Sequence, residues 1–175
     1  MSTSFEIPEV DVITTDAIGP PGQRVFYLQA RQGTQVVSLR LEKTQVAALV
    51  TFLETLLSDL PTPDDVPAEM ALAEPIVAEW VVGSLGVSYD EDADRIVLVA
   101  EELVAEELVA EELVADEVPQ AAHARITATR GQIAALARRG GEVVEAGRPP
   151  CPLCSQPVNP EGHMCIRLNG HRQTP

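Results

Sequence analysis

Three cysteines and a histidine near the end of the chain have the residue types and the spacing of a metal site. Cys151 and Cys154 form a C-x2-C pair, and His163-x-Cys165 follows after a segment rich in proline that can turn the chain back. Three thiolates and one imidazole complete a tetrahedral shell for zinc, and soft thiolate ligands favour zinc over magnesium or calcium. The pattern therefore predicts that these four side chains bind one zinc ion.

The same four ligands predict what the metal does. Because they fill a tetrahedral shell, no position remains for a reactive water molecule, so we expect a structural rather than a catalytic ion. His171 is a candidate alternative ligand in place of His163. Redox chemistry or free thiols are the alternatives, but Pro149, Pro150 and Pro157 do not suit the helix that a thioredoxin-like pair begins. The odd number of cysteines, three, argues against a disulfide framework.

Other constellations in the sequence are weaker. Asp90-x-Asp92-x-Asp94 with Glu101 has the ligand spacing of a calcium loop, but Arg95 stands where such a loop needs glycine. We interpret these acidic residues as a polar hairpin turn. The sequence offers no evident pairing of a nucleophile with a base and no glycine-rich phosphate loop, which makes an enzyme the least favoured class.

Charge is distributed unevenly along the chain. The formal net charge is −15, of which residues 1–120 carry −19 and residues 121–175 carry +4. The acidic part would repel nucleic acid and anionic membranes, whereas the basic end could attract them or face the acidic part of its own chain. Five arginines are the candidate contacts to anions or nucleic acid: Arg138, Arg139, Arg148, Arg167 and Arg172.

Neither a targeting signal nor a membrane span is evident. The segment MSTSFEIPEVDV has no basic start and no apolar stretch, which argues against a secretory signal. No apolar run approaches the ~20 residues that a membrane-spanning helix requires. We therefore expect a soluble, cytoplasmic protein without a membrane partner. Its aromatic content of only 3% predicts a core of Val, Leu, Ile and Ala.

Two stretches of the chain follow one plan. VSLRLEKTQVAALV (37–50) aligns without a gap with ARITATRGQIAALA (124–137) at a shift of 87 residues. In each stretch alternating apolar residues predict a strand, and an apolar stripe at helical spacing follows directly. The chain is therefore predicted to contain an internal repeat. The four identical pairs are Gln45/Gln132, Ala47/Ala134, Ala48/Ala135 and Leu49/Leu136.

Further strands before each helix extend this repeat, so that each half is β-β-β-α. The half-repeats span about 5–60 and about 76–147, and the order predicts an α+β fold. We expect the two halves to form an antiparallel sheet with the helices packed on it, about a pseudo-twofold axis. The expected strands are 5–15, 24–31 and 37–41 in the first half, and 79–90, 95–100 and 122–128 in the second.

Two segments interrupt the repeat and a third follows it. The linker 61–75, rich in proline and acidic residues, is expected to be mobile or to lie on the surface. EELVAEELVAEELVA (101–115) begins an acidic low-complexity insert, 101–120, whose five-residue period keeps no constant face on a helix or a strand. We interpret it as an expanded loop, with an acidic arm that binds calcium or a partner as the alternative. The body then spans 1–147 and the zinc-knuckle tail 148–175.

The tail CPLCSQPVNPEGHMCIRLNGHR resembles the hallmark of an uncharacterised actinobacterial family of domain-of-unknown-function proteins, whose members end in a pattern close to CPLCxxPxxPxGHxCPRxNGYR. PGQRVFYLQAR, VGSLGVSYD, DRIVLVAE and GRPPCPLC are similar to that family as well. Ile166 replaces a usual proline and His171 a usual tyrosine, but the four metal ligands match. The resemblance implies a zinc knuckle on an α+β body, with the EELVA repeat in a variable loop, and it implies no reaction.

These observations predict a non-enzymatic protein with a structural zinc site that acts through an unidentified protein partner, as an interaction or adaptor module. A nucleic-acid-binding protein that uses the basic C-terminal region is the second hypothesis. An enzyme with a site between the two half-repeats is the third.

Overall fold

The computed structural model describes residues 2–68, 71–104, 121–147, 151–158, 162–168 and 172–173. Most of the acidic insert, 105–120, lies outside the described residues, as do Arg148 and His171. Of Arg172 only the backbone is described. The conformation expected for the insert, and the roles suggested for these three side chains, therefore stay predictions.

Two helices related by the internal repeat pack on the sheets. α1 spans Lys43–Ser58 and α2 spans Arg130–Glu145, so both ends of the two helices are related by the same shift of 87 residues. Their N-caps, Glu42 and Thr129, are equivalent positions as well. The gapless alignment of the two stretches is therefore confirmed in the helices. Of the helices in the described part of the chain, none is long and apolar enough to cross a membrane.

Strands of the body pair into two sheets. They are β1 Phe5–Ile7, β2 Val12–Ile18, β3 Val25–Gln32, β4 Gln35–Leu41, β5 Val82–Asp90, β6 Arg95–Glu102 and β7 His123–Ala128. The first sheet has the order β2-β3-β4 and is antiparallel. The second has the order β1-β7-β6-β5, in which β5, β6 and β7 are antiparallel neighbours and β1 is parallel to β7.

The α+β class is confirmed and the second half has the expected order β-β-β-α, whereas four strands precede the helix of the first half and the one antiparallel sheet that we expected is divided into two. The expected strand 5–15 becomes β1 and β2, which belong to different sheets. Pro8 follows β1 directly and has no N–H group to donate to a neighbouring strand, so pairing stops there. The chain then crosses to the other sheet.

Each half lends its leading segment to the sheet of the other half. β1, which precedes β2, pairs with β7 of the second half. In the same way residues 79–81, which precede β5, run parallel to β4 of the first half, where the Arg40 N–H donates to the Trp80 carbonyl at 3.1 Å. The two sheets therefore have equivalent strand orders. This exchange supports the pseudo-twofold relation and ties the halves together.

The repeated glutamines have the same role in both halves. Gln45 and Gln132 each stand at the third helical position, and the side-chain oxygen of each accepts the N-cap N–H at 2.8 Å. The side-chain NH2 of Gln45 donates to the Val82 carbonyl at 3.0 Å, and that of Gln132 donates to the Val10 carbonyl at 2.7 Å. Each glutamine thus caps its own helix and holds it to the start of the other half.

The main core is aliphatic, as the composition predicts. Leu39 and Leu53 of the first half and Ile126 and Ile133 of the second are almost fully buried in one cluster between helices and sheets. Trp80 joins the same cluster, and its indole N–H donates to the backbone carbonyl of Thr3 at 3.0 Å. Burial of these large side chains supplies the main driving force for folding.

The described part of the linker packs on the body. A Cβ atom on Gly131 would overlap the carbonyl oxygen of Asp65, so a residue with a side chain could not admit the linker this closely at the start of α2. Further along, the buried Gln29 side chain holds the backbone of Ala73 with hydrogen bonds of 2.7 and 3.1 Å. At these two points the linker lies against the body.

Candidate metal centre

A tight turn carries the first two candidate ligands. The Ser155 N–H donates to the Cys151 carbonyl, and the Cys151 N–H donates to the Gln156 carbonyl, each at 2.8 Å. Ser155 has a φ of 59°, a left-handed conformation that reverses the chain directly after Cys154. Both thiols of the C-x2-C pair lie in this turn and belong to the cluster of four candidate ligand atoms.

Two short strands carry the second pair. β8, His163–Met164, pairs antiparallel with β9, Arg172–Gln173. Side chains two residues apart on an extended chain point to the same side, which places His163 and Cys165 together. A short 3-10 helix, Ile166–Leu168, follows directly and ends the extended segment.

The four candidate ligand atoms converge. One nitrogen or sulfur atom from each of Cys151, Cys154, His163 and Cys165 lies within 4.8 Å of all the others. Cys151 Sγ and Cys165 Sγ are 3.9 Å apart, and Cys154 Sγ is 3.8 Å from His163 Nε2. Two sulfurs on a tetrahedral zinc ion stand roughly 3.8 Å apart when each bond is about 2.3 Å, whereas disulfide sulfurs are about 2.05 Å apart. The donor set therefore fits a metal ion, and the cysteines are free thiols.

Burial separates this centre from the rest of the molecule. Cys151 is 1% exposed and Cys165 is 0% exposed, while Cys154 and His163 are partly buried. Val158 packs with the cysteines in a small apolar cluster that is distinct from the main core. Such a cluster is too small to hold a chain segment folded by itself, so a bound metal would supply the missing stability.

Hydrogen bonds to sulfur favour a thiolate at Cys151. Burial acts to raise the pKa of this thiol, but the backbone N–H groups of Leu153 and Cys154, together with the His163 side chain, lower the pKa to about 6. At Cys154 burial raises the pKa of the thiol, and the neighbouring Cys151 and Cys165 thiols add to the effect. Because metals bind thiolates, ligation at Cys154 would release a proton.

The arginines that the sequence marks as candidate anion contacts differ in their surroundings. Arg139 donates to Asp16 at 2.6 Å and to Glu142 at 3.2 Å, and the hydrogen bond to Asp16 is the main cause of its raised pKa. Arg138 and Arg167 are exposed. At Arg139, then, the basic end faces an acidic residue of its own chain, which is one of the two outcomes that the charge distribution allowed.

Pairing of β1 with β7 brings three polar side chains into a row that the sequence alone did not predict. His123 Nδ1 lies 3.2 Å from Ser4 Oγ, and His123 Nε2 lies 3.4 Å from Glu6 Oε1. The residue types are those of a hydrolase triad, but all three residues are exposed, where water competes with every contact. No sequence signal could have linked Ser4 with His123, which are 119 positions apart, because only the register of β1 on β7 joins them.

A polar cavity of about 400 Å³ opens at the start of α2, between the linker and the β5–β6 turn. Asp94, at its edge, accepts hydrogen bonds from Arg130 Nε at 2.8 Å and Nη2 at 3.1 Å, and from the Tyr89 hydroxyl at 2.8 Å. The bonds from Arg130 and then Tyr89 lower the pKa of Asp94. Residues 91–94 form the turn between β5 and β6.

Comparison with known proteins yields a family. Residues 5–165 match the model of a family described as a protein of unknown function, DUF3090, and the matched range includes all four candidate ligands. No curated protein and no solved structure matches the chain.

Proposed function

The chain belongs to the DUF3090 family, whose description assigns no activity, and we propose that it is a non-enzymatic interaction or adaptor module whose C-terminal knuckle is held by a structural zinc ion. The ligands are Cys151, Cys154, His163 and Cys165. An origin in actinobacteria and a cytoplasmic location, where thiols stay reduced, are parts of this proposal.

The convergence of four ligand atoms is the observation that supports the proposal. Three sulfurs and one imidazole nitrogen within 4.8 Å of one another offer a complete tetrahedral shell. Soft sulfur ligands select zinc among the abundant divalent ions that need no redox chemistry. Since four protein atoms fill the shell, the ion would cross-link the turn at 151–156 with β8 rather than activate a substrate.

Exposed apolar side chains on the same segment support an interaction role. Leu153 is 43% exposed, Met164 is 67% exposed and Ile166 is 79% exposed. All three are neighbours of metal ligands in sequence, so their positions depend on the folded knuckle. Exposed apolar residues are one feature of surfaces that bind another polypeptide.

Metal analysis of the purified protein tests the zinc site. Protein prepared under reducing conditions should carry about one zinc ion per chain, and Cys154→Ser should lose it because the shell then lacks one thiolate. Met164→Ala is the matched control, since Met164 lies between two ligands but is exposed; it should keep the metal. A chain that carries no metal, or a Cys154→Ser variant that retains it in full, would refute the zinc site.

Affinity capture with the full-length protein tests the interaction role. A protein partner should be recovered by the wild-type chain and should be lost with Cys154→Ser, because the knuckle no longer presents a fixed surface. Equal recovery by both forms would place the partner elsewhere on the molecule. Recovery of RNA or DNA that disappears at high salt would instead favour the nucleic-acid hypothesis.

Neither of the other two hypotheses gains a specific observation. The Arg139 guanidinium already donates to Asp16 and Glu142. It is therefore less available to bind a phosphate group than an arginine without such partners would be. In the polar cavity at the start of α2 the Asp94 carboxylate already accepts three hydrogen bonds, which leaves it poorly suited to act as a general base.

A further inference from the structure

Arg31 of β3 carries two buried hydrogen-bond donors that no described residue accepts. Its Nε and Nη2 atoms are shielded from solvent, and neither donates to an acceptor in the described part of the chain. These two N–H groups lie on one edge of the planar guanidinium and point in parallel, which matches the two oxygens of a carboxylate. Buried donors in native proteins are nearly always paired. This edge of Arg31 therefore points to an acceptor that the described residues do not supply.

Another arginine of the same protein shows what this edge binds. Arg130 Nε donates to Asp94 Oδ1 at 2.8 Å and Arg130 Nη2 donates to Asp94 Oδ2 at 3.1 Å, so the same two nitrogens hold one carboxylate. Such a bidentate pair combines opposite charge with a fixed, planar geometry. A carboxylate is therefore the acceptor that best fits the corresponding edge of Arg31.

Polar neighbours of Arg31 in the first sheet have other partners. Gln29 lies on the same face of β3, two residues away, and its side chain both donates to the Ala73 carbonyl at 3.1 Å and accepts the Ala73 N–H at 2.7 Å. The Asp11 N–H donates to the Arg31 carbonyl at 2.8 Å, but the Asp11 carboxylate accepts the Gly33 N–H at 2.6 Å. Neither side chain therefore supplies the acceptor for the Arg31 guanidinium.

The residues paired with Arg31 on the neighbouring strands are apolar. Val12 on β2 and Val36 on β4 stand directly opposite Arg31, so their side chains lie on the same face of the sheet. Val36 is 40% exposed and Arg31 is only partly buried, so a small molecule can approach the guanidinium from the side of β4. Valine side chains beside a guanidinium suit a ligand in which an alkyl group is joined to the carboxylate.

The charge of the molecule favours a ligand with a single negative charge. The chain carries a formal net charge of −15, and such a field opposes a dianion more strongly than a monoanion. One guanidinium balances one negative charge. A monocarboxylate is therefore favoured over inorganic phosphate, which carries more negative charge at neutral pH.

We propose that Arg31 is the centre of a binding site for a small organic acid with one carboxylate and a short apolar chain. The carboxylate accepts hydrogen bonds from Nε and Nη2 side by side, and the alkyl chain packs against Val36. Because both nitrogens are buried, the long and flexible Arg31 side chain turns this edge toward the exposed side of β4 as the ligand enters. The site lies on the body and does not depend on the zinc knuckle.

Titration of the full-length protein with butyrate at constant ionic strength tests the site. Butyrate should shift the NMR signal of the Arg31 Nε–H saturably and raise the urea midpoint, because it binds the folded state alone. Butyramide, which has the same chain without the charge, should do neither. Arg31→Met should abolish the response, and Arg31→Lys, which keeps the charge but loses the paired geometry, should weaken the affinity by roughly tenfold. Arg40→Met, which removes an exposed arginine of β4, is the matched control and should respond like the wild type.

Three results would overturn the proposal. If butyrate leaves the wild type unchanged, or if Arg31→Met responds as strongly as the wild type, Arg31 is not a carboxylate site. If inorganic phosphate gives a stronger response than butyrate and that response depends on Arg31, the monocarboxylate is the wrong ligand class. The stability of Arg31→Met without ligand is the third check: loss of two donors that have no described acceptor should leave the urea midpoint unchanged or higher. A sharp fall in the midpoint would mean that acceptors within the protein already hold the guanidinium.

Discussion

At the scale of single residues, Ser155 shows how the knuckle turn departs from the backbone that its sequence prefers. Its φ of 59° suits glycine and strains most other residues by roughly 1–2 kcal/mol. In this conformation the Ser155 N–H donates to the Cys151 carbonyl at 2.8 Å, which closes the turn that carries both cysteines. Because the backbone of Ser155 is left-handed, a substitution that suits this conformation can increase the affinity of the site for metal.

We predict that Ser155→Gly tightens zinc binding. Relief of the strained backbone should outweigh the larger entropy of an unfolded glycine, for a net gain of up to about 1 kcal/mol, or roughly fivefold in affinity. Competition with a chromogenic chelator measures the change. Ser155→Ala is the control, because alanine keeps the strain and should leave the affinity close to that of the wild type. Weaker binding by Ser155→Gly would contradict this account of the turn.

The Asp94 carboxylate makes the stability of the folded protein depend on pH. Its φ of 51° is tolerated by aspartate and asparagine, and its carboxylate accepts hydrogen bonds from Arg130 and Tyr89. Because these bonds lower the pKa of Asp94 in the folded state, the group stabilises the fold above its unfolded pKa of about 3.9, and the contribution is lost as the pH falls through the lower, folded pKa.

Asp94→Asn should accordingly lower the free energy of unfolding at pH 7, and the difference should shrink as the pH falls below about 3.9. Asparagine keeps the size and the left-handed backbone but not the charge. Urea unfolding of the variant and the wild type at several pH values measures the difference. Asp92→Asn, in the same turn, is the control, and a difference for Asp94→Asn that does not shrink toward low pH would rule out the charge as its cause.

At the scale of elements, the contact between the two helices depends on one glycine. A Cβ on Gly140 of α2 would stand 2.6 Å from Cγ2 of Val50 in α1 and 3.4 Å from Cγ2 of Thr15 in β2. Its repeat-equivalent in α1 is Leu53, a core residue. The two halves therefore differ at this position. In α2 a glycine allows α1 to approach closely, whereas in α1 a leucine packs in the core.

Gly140→Ala should destabilise the protein, although alanine is the better helix former. The overlap with Val50 should cost roughly 1–3 kcal/mol and exceed the propensity gain of up to about 1 kcal/mol. Gly141→Ala is the matched control, since a Cβ there would meet Val50 Cγ1 at 4.0 Å and should stabilise the helix. Urea unfolding of the two variants should give changes of opposite sign; changes of the same sign would contradict the close approach of α1 and α2.

The local elements were predictable to different degrees. The two helices follow from hydrophobic periodicity, and the β5–β6 turn follows from its polar residues, because both signals act over a few residues. The division of 5–15 into two strands did not, because alternation alone does not state which neighbour a strand pairs with. Gln45 and Gln132 were found as an identical pair, but their bonds to the other half are visible only in three dimensions.

At the scale of the whole molecule, the exchange of β1 and residues 79–81 between the halves predicts cooperative unfolding of the body. Trp80 lies in the exchanged segment and within the main core, so its fluorescence should report loss of both halves at once. In urea this transition should coincide with that of far-ultraviolet circular dichroism. Two separated transitions would mean that the halves unfold independently.

Removal of zinc should act on the knuckle and spare the body. The apolar cluster at Cys151, Val158 and Cys165 is distinct from the main core, so a chelator should change the free energy of unfolding reported by Trp80 by no more than about 0.5 kcal/mol. Trypsin cleavage after the exposed Arg167 should become faster on the same treatment. If the midpoint falls sharply with chelation, the metal stabilises the body as well as the tail.

The sequence by itself determined the α+β class, the repeated helices and the four candidate ligands of the metal centre, because each depends on spacing and residue chemistry within short stretches. Only the tertiary structure decided the division into two sheets, the exchange of leading segments and the engagement of Arg139 by Asp16. These depend on which distant segments meet, and that is settled by the burial of apolar surface over the whole chain rather than by any local pattern.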